Sequence, residues 1–279
     1  MHVRRFLRRS FFAGVIAALV VWTTPAEGQL RPLHPLDWQL FDEGHLVSAR
    51  LGGGILVDQR ASLAGTQGQL LELGDFSLAI RSGRMAVEVA GTVLRLFEDQ
   101  ETFTTPWGGA RASTGERRRD AGDFRVSTMV LLTRPGQPAS AVLRFGTRLP
   151  TTDNEVGLER DRTDFFALLG GRVKSGGFML AGEAGVGING THDERLEQSD
   201  VLMYSATAAY TRGIVSPRAS LVGHFDGMSG LTIRGNEELA ELRLGGRVGR
   251  ELWLEADVVY GLQPFSPRTG LLLFAGMAQ

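Results

Sequence analysis

From residue 240 onward apolar and polar residues alternate with a period of two, the spacing at which successive side chains of a β-strand point to opposite faces. Ala240, Leu242, Leu244, Gly246 and Val248 form one series; Glu241, Arg243, Gly245 and Arg247 form the other. Leu252, Leu254, Ala256, Val258 and Tyr260 then alternate with Trp253, Glu255, Asp257 and Val259. The same reading predicts strands over 45–57, 69–81, 85–97, 122–133, 139–149, 164–174, 178–189, 201–212, 215–225, 238–248, 251–261 and 270–278. Many of these segments are about ten residues long, which is what a tilted strand needs to cross hydrocarbon.

The connections give a second, independent signal. Links after the even-numbered strands are tight and rich in Gly or Pro, as in Ser82-Gly83-Arg84, Arg134-Pro135-Gly136-Gln137-Pro138, Ser175-Gly176-Gly177, Gly213-Ile214 and Gly249-Arg250. Links after the odd-numbered strands read as longer and polar, such as 98–121 with Arg117-Arg118-Arg119-Asp120, 150–163, and 190–195. Short periplasmic turns and long external loops alternate in this way in outer-membrane barrels, whereas a soluble sandwich has no reason to keep the parity. Closure is also required in a bilayer, where an open sheet edge would leave backbone groups unpaired. The expected fold class is therefore all-β: an antiparallel transmembrane outer-membrane β-barrel of about twelve strands.

The first 28 residues run from Arg4, Arg5, Arg8 and Arg9 through the apolar stretch 11–22 to small residues at Ala26 and Gly28. That order predicts a cleaved signal peptide and export to the bacterial outer membrane. Residues 29–44, with Pro32, Pro35 and Trp38, read as a short periplasmic lead-in, and 45–279 as the barrel. No later segment offers 18 consecutive apolar residues, so a helical membrane protein is excluded; 37 glycines argue equally against a helical fold. Without its leader the chain carries 26 basic and 30 acidic residues, which points to no nucleic-acid partner. There is no cysteine, hence neither a lipid-anchoring residue nor a disulfide.

Turning the apolar series to lipid leaves an inward set of Arg50, Asp75, Arg81, Glu88, Asp123, Arg125, Arg144, Arg148, Arg172, Lys174, Glu183, Arg218, His224, Glu241, Arg243, Arg247, Glu255 and Asp257. An Arg or Lys on the lipid side near the midplane would cost about 2–4 kcal/mol, so the register is fixed. The candidate lumenal, solute-facing residues are Arg144, Arg148, Arg172, Lys174, Arg218, Arg243, Arg247, Glu255 and Asp257. Arg144 and Arg148 beside Arg172 and Lys174 are expected to form the most basic patch. Guanidinium groups offer paired planar donors to carboxylates and phosphates. Mutual ion pairs filling a narrow lumen would account for the same residues. Trp253, Tyr204, Tyr210, Phe225 and Tyr260 lie near strand ends, where interfacial aromatic girdles form, although lipid-facing packing explains them equally well.

The run Arg144-Phe145-Gly146-Thr147-Arg148-Leu149-Pro150-Thr151-Thr152, the acidic stretch to Glu159, and Thr163-Asp164-Phe165-Phe166-Ala167-Leu168-Leu169-Gly170 resemble a known group. Gly74-Asp75-Phe76 and Gly122-Asp123-Phe124 add to the likeness. The group is the outer-membrane transporter family of the MetA pathway of phenol degradation, with Arg148 standing where a lysine is usual. The resemblance implies a barrel with a transport-like role. Many such barrels end on an aromatic residue read by the assembly machinery; here Phe274, near the end, is the candidate.

An enzyme is not expected. His192-Asp193 lies in an external loop, His224 has no nucleophile on its face, and no cofactor or metal site is indicated; Asp193, Glu194, Glu197 and Asp200 could at most hold calcium among lipopolysaccharide headgroups. Two functions follow: a channel or transporter-like barrel passing small polar, aromatic or anionic solutes, or a closed structural or interaction barrel using external loops at 98–121 and 226–236. The expected partners are outer-membrane lipid, lipopolysaccharide, the barrel-assembly machinery and a small-molecule solute.

Overall fold

A computed structural model describes residues 32–42, 44–61, 64–103, 114–150, 156, 158, 163–189, 199–225 and 238–279. The expected signal peptide, the dyad His192-Asp193, the acidic cluster around Glu194 and the link 226–236 lie outside these residues. The strands are β1 (Val47–Ala61), β2 (Thr66–Ser82), β3 (Met85–Thr102), β4 (Arg117–Asp120), β5 (Phe124–Leu131), β6 (Ala139–Leu149), β7 (Asp164–Ser175), β8 (Phe178–Asn189), β9 (Ser199–Tyr210), β10 (Val215–Phe225), β11 (Leu239–Gly249), β12 (Leu252–Gly261) and β13 (Thr269–Ala278). Each pairs antiparallel with its neighbours. β1 joins both β2 and β13, so the sheet closes on itself.

Closure uses twelve staves although thirteen stretches are paired. The outer half of β3, Arg95–Glu98, pairs with β4, while its inner half, Met85–Ala90, pairs with β5. β4 and β5 are thus one stave interrupted at 121–123. The Arg-rich β4 lies within what reads from sequence as a linker, because Arg117-Arg118-Arg119-Asp120 shows no alternation.

The alternation is realised side chain by side chain. Along β7, Asp164, Phe166, Leu168, Gly170 and Arg172 are buried, while Phe165, Ala167, Leu169, Gly171 and Val173 face out. Outside, Leu169, Leu252, Leu254 and Phe178 leave 60–71% of their surface uncovered, an apolar belt that only lipid can cover. Gly245 shows why the inner wall is studded with glycine. A Cβ there would lie 1.9 Å from the carbonyl oxygen of Ala256 and 2.4 Å from Asp257 Oδ1, so the position leaves room for the carboxylate of the neighbouring strand.

The first link departs from the expected parity. β1 and β2 extend to Ala61 and Thr66, leaving only 62–65 between them, and β3 runs 18 residues. The inner ends of these strands are level with the other turns, since Val47 pairs with Ile80 and Met85 with Val130. Their excess length therefore rises beyond the rest of the wall on the loop side.

Candidate lumenal site

The interior is layered. At the short-turn end Leu36, Trp38, Leu40 and Phe41 pack on Ala79, Ala86, Met129, Leu131, Val142 and Ala181. At the loop end Leu56, Leu70, Phe97, Val259 and Leu272 enclose Val156 and Leu158. Arg118 of β4 donates to Thr66 Oγ1 at 2.7 Å, to Asp99 and to the Val156 carbonyl, and Asp120 accepts from Val156 N–H at 3.1 Å. These bonds tie part of the 150–163 link into the mouth. Between the two apolar layers lies a belt of ionised side chains.

Residues 32–42 run inside the barrel, whereas from sequence the segment reads as a lead-in outside it. Leu36 N–H donates to Glu183 on β8, the carbonyls of His34 and Trp38 accept from Arg144 on β6 and Arg172 on β7, and Gln39 accepts from Arg247 on β11. A segment bonded to inward side chains on so many staves can only occupy the lumen. Its apolar residues explain the burial: Trp38, Leu40 and Phe41 are at most 4% exposed, and a 3-10 turn at Trp38–Phe41, capped by Asp37, presents them to the wall.

The nine candidate residues all project inward, but they fall into separate ion-paired groups. Arg218 donates to Glu255 at 2.7 Å and to Asp257; Arg247 reaches the same Glu255 at 3.0 Å and stacks on Trp253, with its guanidinium carbon 3.7 Å from the ring centroid. Arg243 pairs with Glu241 at 2.7 Å and lies 3.2 Å from His34 Nδ1. Arg144 pairs with Glu88 at 2.7 Å, Arg148 with Asp164 at 3.1 Å, and Arg172 and Lys174 with Asp42 at 2.7 and 2.6 Å.

The basic patch expected from Arg144, Arg148, Arg172 and Lys174 is not formed. In the antiparallel β6–β7 pair Arg144 lies opposite Leu168, Arg148 opposite Asp164, and Arg172 opposite Ser140. Arg144 and Arg172 are thus four residues out of register, about 13 Å along the strand. Trp253 likewise belongs to the inner face, 3% exposed beneath Arg247, while Tyr210, Phe225 and Tyr260 remain outside. Phe274 also points inward, against the edge of His34 and under Arg50.

The groups that sequence reasoning missed come from the lead-in: His34, Asp37, Gln39 and Asp42. Their signal was present in the pattern Leu36-Asp37-Trp38-Gln39-Leu40-Phe41-Asp42, too apolar for an open periplasmic segment. His34 Nε2 lies 2.9 Å from Asp75, yet burial, reinforced by Arg50, keeps its imidazole well below its ordinary pKa. Burial acts to raise the Asp37 carboxyl, but Arg247, Ser48 and the Gln39 N–H hold it below the usual range.

A cavity of about 420 Å³ remains beside the lead-in. It is lined near the short turns by Lys174, Gly176, Thr211 and Ser216, and deeper by Arg50, Glu88, Arg218, Arg243, Arg247, Glu255 and Asp257. Its walls alternate in charge, and the lead-in contributes Asp37 and Asp42. An outer-membrane channel from Pseudomonas putida F1 has the same architecture: it aligns over 88% of this chain and all of its own length, with a TM-score of 0.63 at 13% identity. The fold is that of an outer-membrane β-barrel. A porin aligns over 84% of this chain and all of its own with a TM-score of 0.37 at 8% identity. The in-vitro-folded outer-membrane protein OmpT of Vibrio cholerae covers 84% of this chain and 98% of its own, with a TM-score of 0.38 at 12% identity. No protein-family model matches the sequence, and no curated protein does.

Proposed function

We propose that this chain is an outer-membrane channel for small polar or anionic solutes, narrowed in the described state by its own lead-in. The observation that carries the reading is the cavity of about 420 Å³ within a barrel whose inner face is ionised around most of its circumference. Replacing buried ion pairs by well-packed apolar side chains is often neutral or stabilising, so a wall alone does not require such a belt. The sequence likeness to the MetA-pathway transporter family, and the channel from Pseudomonas putida that shares the fold, support the same reading. Outer-membrane lipid and lipopolysaccharide would surround the barrel.

One observation favours a closed structural barrel instead: the ion pairs and the lead-in together fill much of the lumen. Single-channel recording of the refolded mature chain in planar bilayers separates the two. Steady conductance that rises when Arg144→Glu and Arg172→Glu free the carbonyls of His34 and Trp38 supports the channel. A folded, heat-modifiable barrel that stays silent even in that variant refutes it.

A further inference from the structure

Asp42 ends the described stretch of the lead-in, and its carboxylate sits between two cations of β7. Lys174 Nζ donates to its two oxygens at 2.8 and 2.6 Å, and Arg172 Nη1 donates to Oδ1 at 2.7 Å. Arg172 is fixed independently of this carboxylate. It donates to the Trp38 carbonyl at 2.9 Å and to Ser140 Oγ at 3.3 Å, and it lies 5.3 Å from the Trp38 ring centroid. Its side chain is 1% exposed, and its Nε has no hydrogen-bond partner among the described residues.

Lys174 and Asp42, in contrast, are 38% and 25% exposed, and both line the cavity. The cluster therefore combines a rigid planar guanidinium, an ammonium at the water's edge and a carboxylate lent by a different part of the chain. Two cations against one carboxylate leave one positive charge, so a dianion would neutralise the pair better than Asp42 does.

We infer that Arg172 and Lys174 form a binding site for the carboxylates of a small dicarboxylate, and that Asp42 occupies it as a tethered competitor. This deepens the channel reading and relies on it only for how the ligand reaches the lumen. A solute carboxylate that takes the place of Asp42 loosens the lead-in at the turn end, so binding and widening of the path are coupled. A tethered group competes at an effective concentration in the millimolar range or above, and its removal is expected to tighten probe binding about tenfold.

The test titrates succinate into the mature barrel in detergent micelles and follows the fluorescence of Trp38, read against Trp38→Phe. Asp42→Asn is expected to bind succinate about tenfold more tightly than the parent, and adding Lys174→Gln should abolish the gain. Heat-modifiability establishes that each variant is a closed barrel. Unchanged affinity in Asp42→Asn, a gain that survives Lys174→Gln, or equal competition by chloride would each overturn the inference. Tighter succinate binding in a barrel that never conducts upholds this site and sinks the channel. Conductance without any gain in Asp42→Asn does the reverse.

Discussion

Leu169 lies at the middle of β7, faces outward and is 60% exposed on the isolated barrel. A strand rises about 3.3 Å per residue, and at a tilt near 40° about 2.5 Å of that is along the membrane normal. Val173, four residues on and on the same face, therefore sits about 10 Å nearer the short-turn end, close to the edge of an apolar band about 25 Å tall. An arginine at the midplane of a barrel's lipid face costs about 2–4 kcal/mol, falling to about 0–1 kcal/mol near the interface. Leu169→Arg is accordingly expected to destabilise the barrel by about 3 kcal/mol, and Val173→Arg by less than about 1 kcal/mol. Reversible denaturant unfolding in lipid vesicles measures both. Equal costs at the two sites, or a larger cost at Val173, would refute the membrane position assigned to this wall.

Two further outcomes follow from the lumen. Glu255, with a side chain 1% exposed, accepts from Arg218 at 2.7 Å and from Arg247 at 3.0 Å. Breaking a buried pair costs about 3–5 kcal/mol, and the remaining partners and partial solvation of both arginines reduce the expected loss in Glu255→Gln to about 2 kcal/mol, measurable by the same unfolding; no loss would show the pairs to be energetically idle. His34 and Asp37 both have depressed pKa values when docked, so each favours docking in its deprotonated form. The His34 contribution is complete above about pH 6.5 and is eroded as pH falls below it; the Asp37 contribution is lost only below about pH 4. Protease cleavage of the lead-in should therefore increase on acidification from pH 7 to 5, with His34→Ala flattening the rise. Cleavage that decreases over this window would contradict the docked geometry.

Most of the wall was legible because its signal is local and repeated: period-two alternation marks both the strands and their faces, and the ends differ from expectation by a few residues. β4 was invisible because four charged residues carry no period. The long β1–β2 hairpin was obscured because polar residues such as Asp58 and Gln59 read as loop, whereas above the membrane a strand needs no lipid-facing apolar series. The interior was less legible. Inward direction follows from alternation, but which charges meet follows from register, and the β6–β7 pairing that sets Arg144 opposite Leu168 and Arg172 opposite Ser140 spans the long 150–163 link. Asp42, which pairs with Arg172, and Gln39, which accepts from Arg247, lie 130 and 208 positions earlier, a separation that no local pattern encodes.

The seam between β1 and β13 has a consequence for how the molecule is assembled. Here the first and last strands of the wall meet: Val47 N–H donates to the Gln279 carbonyl and Gln279 N–H to that of Val47. Two of the contacts that hold the lead-in lie at the same seam, with Ser48 donating to Asp37 at 2.6 Å and Phe274 of β13 against His34. Zipping the first strand to the last therefore completes the wall and the grip on the lead-in together. A barrel caught before that step would be open along its side and would hold the lead-in through β6, β7, β8 and β11, so the last fastening of the segment waits on circularisation.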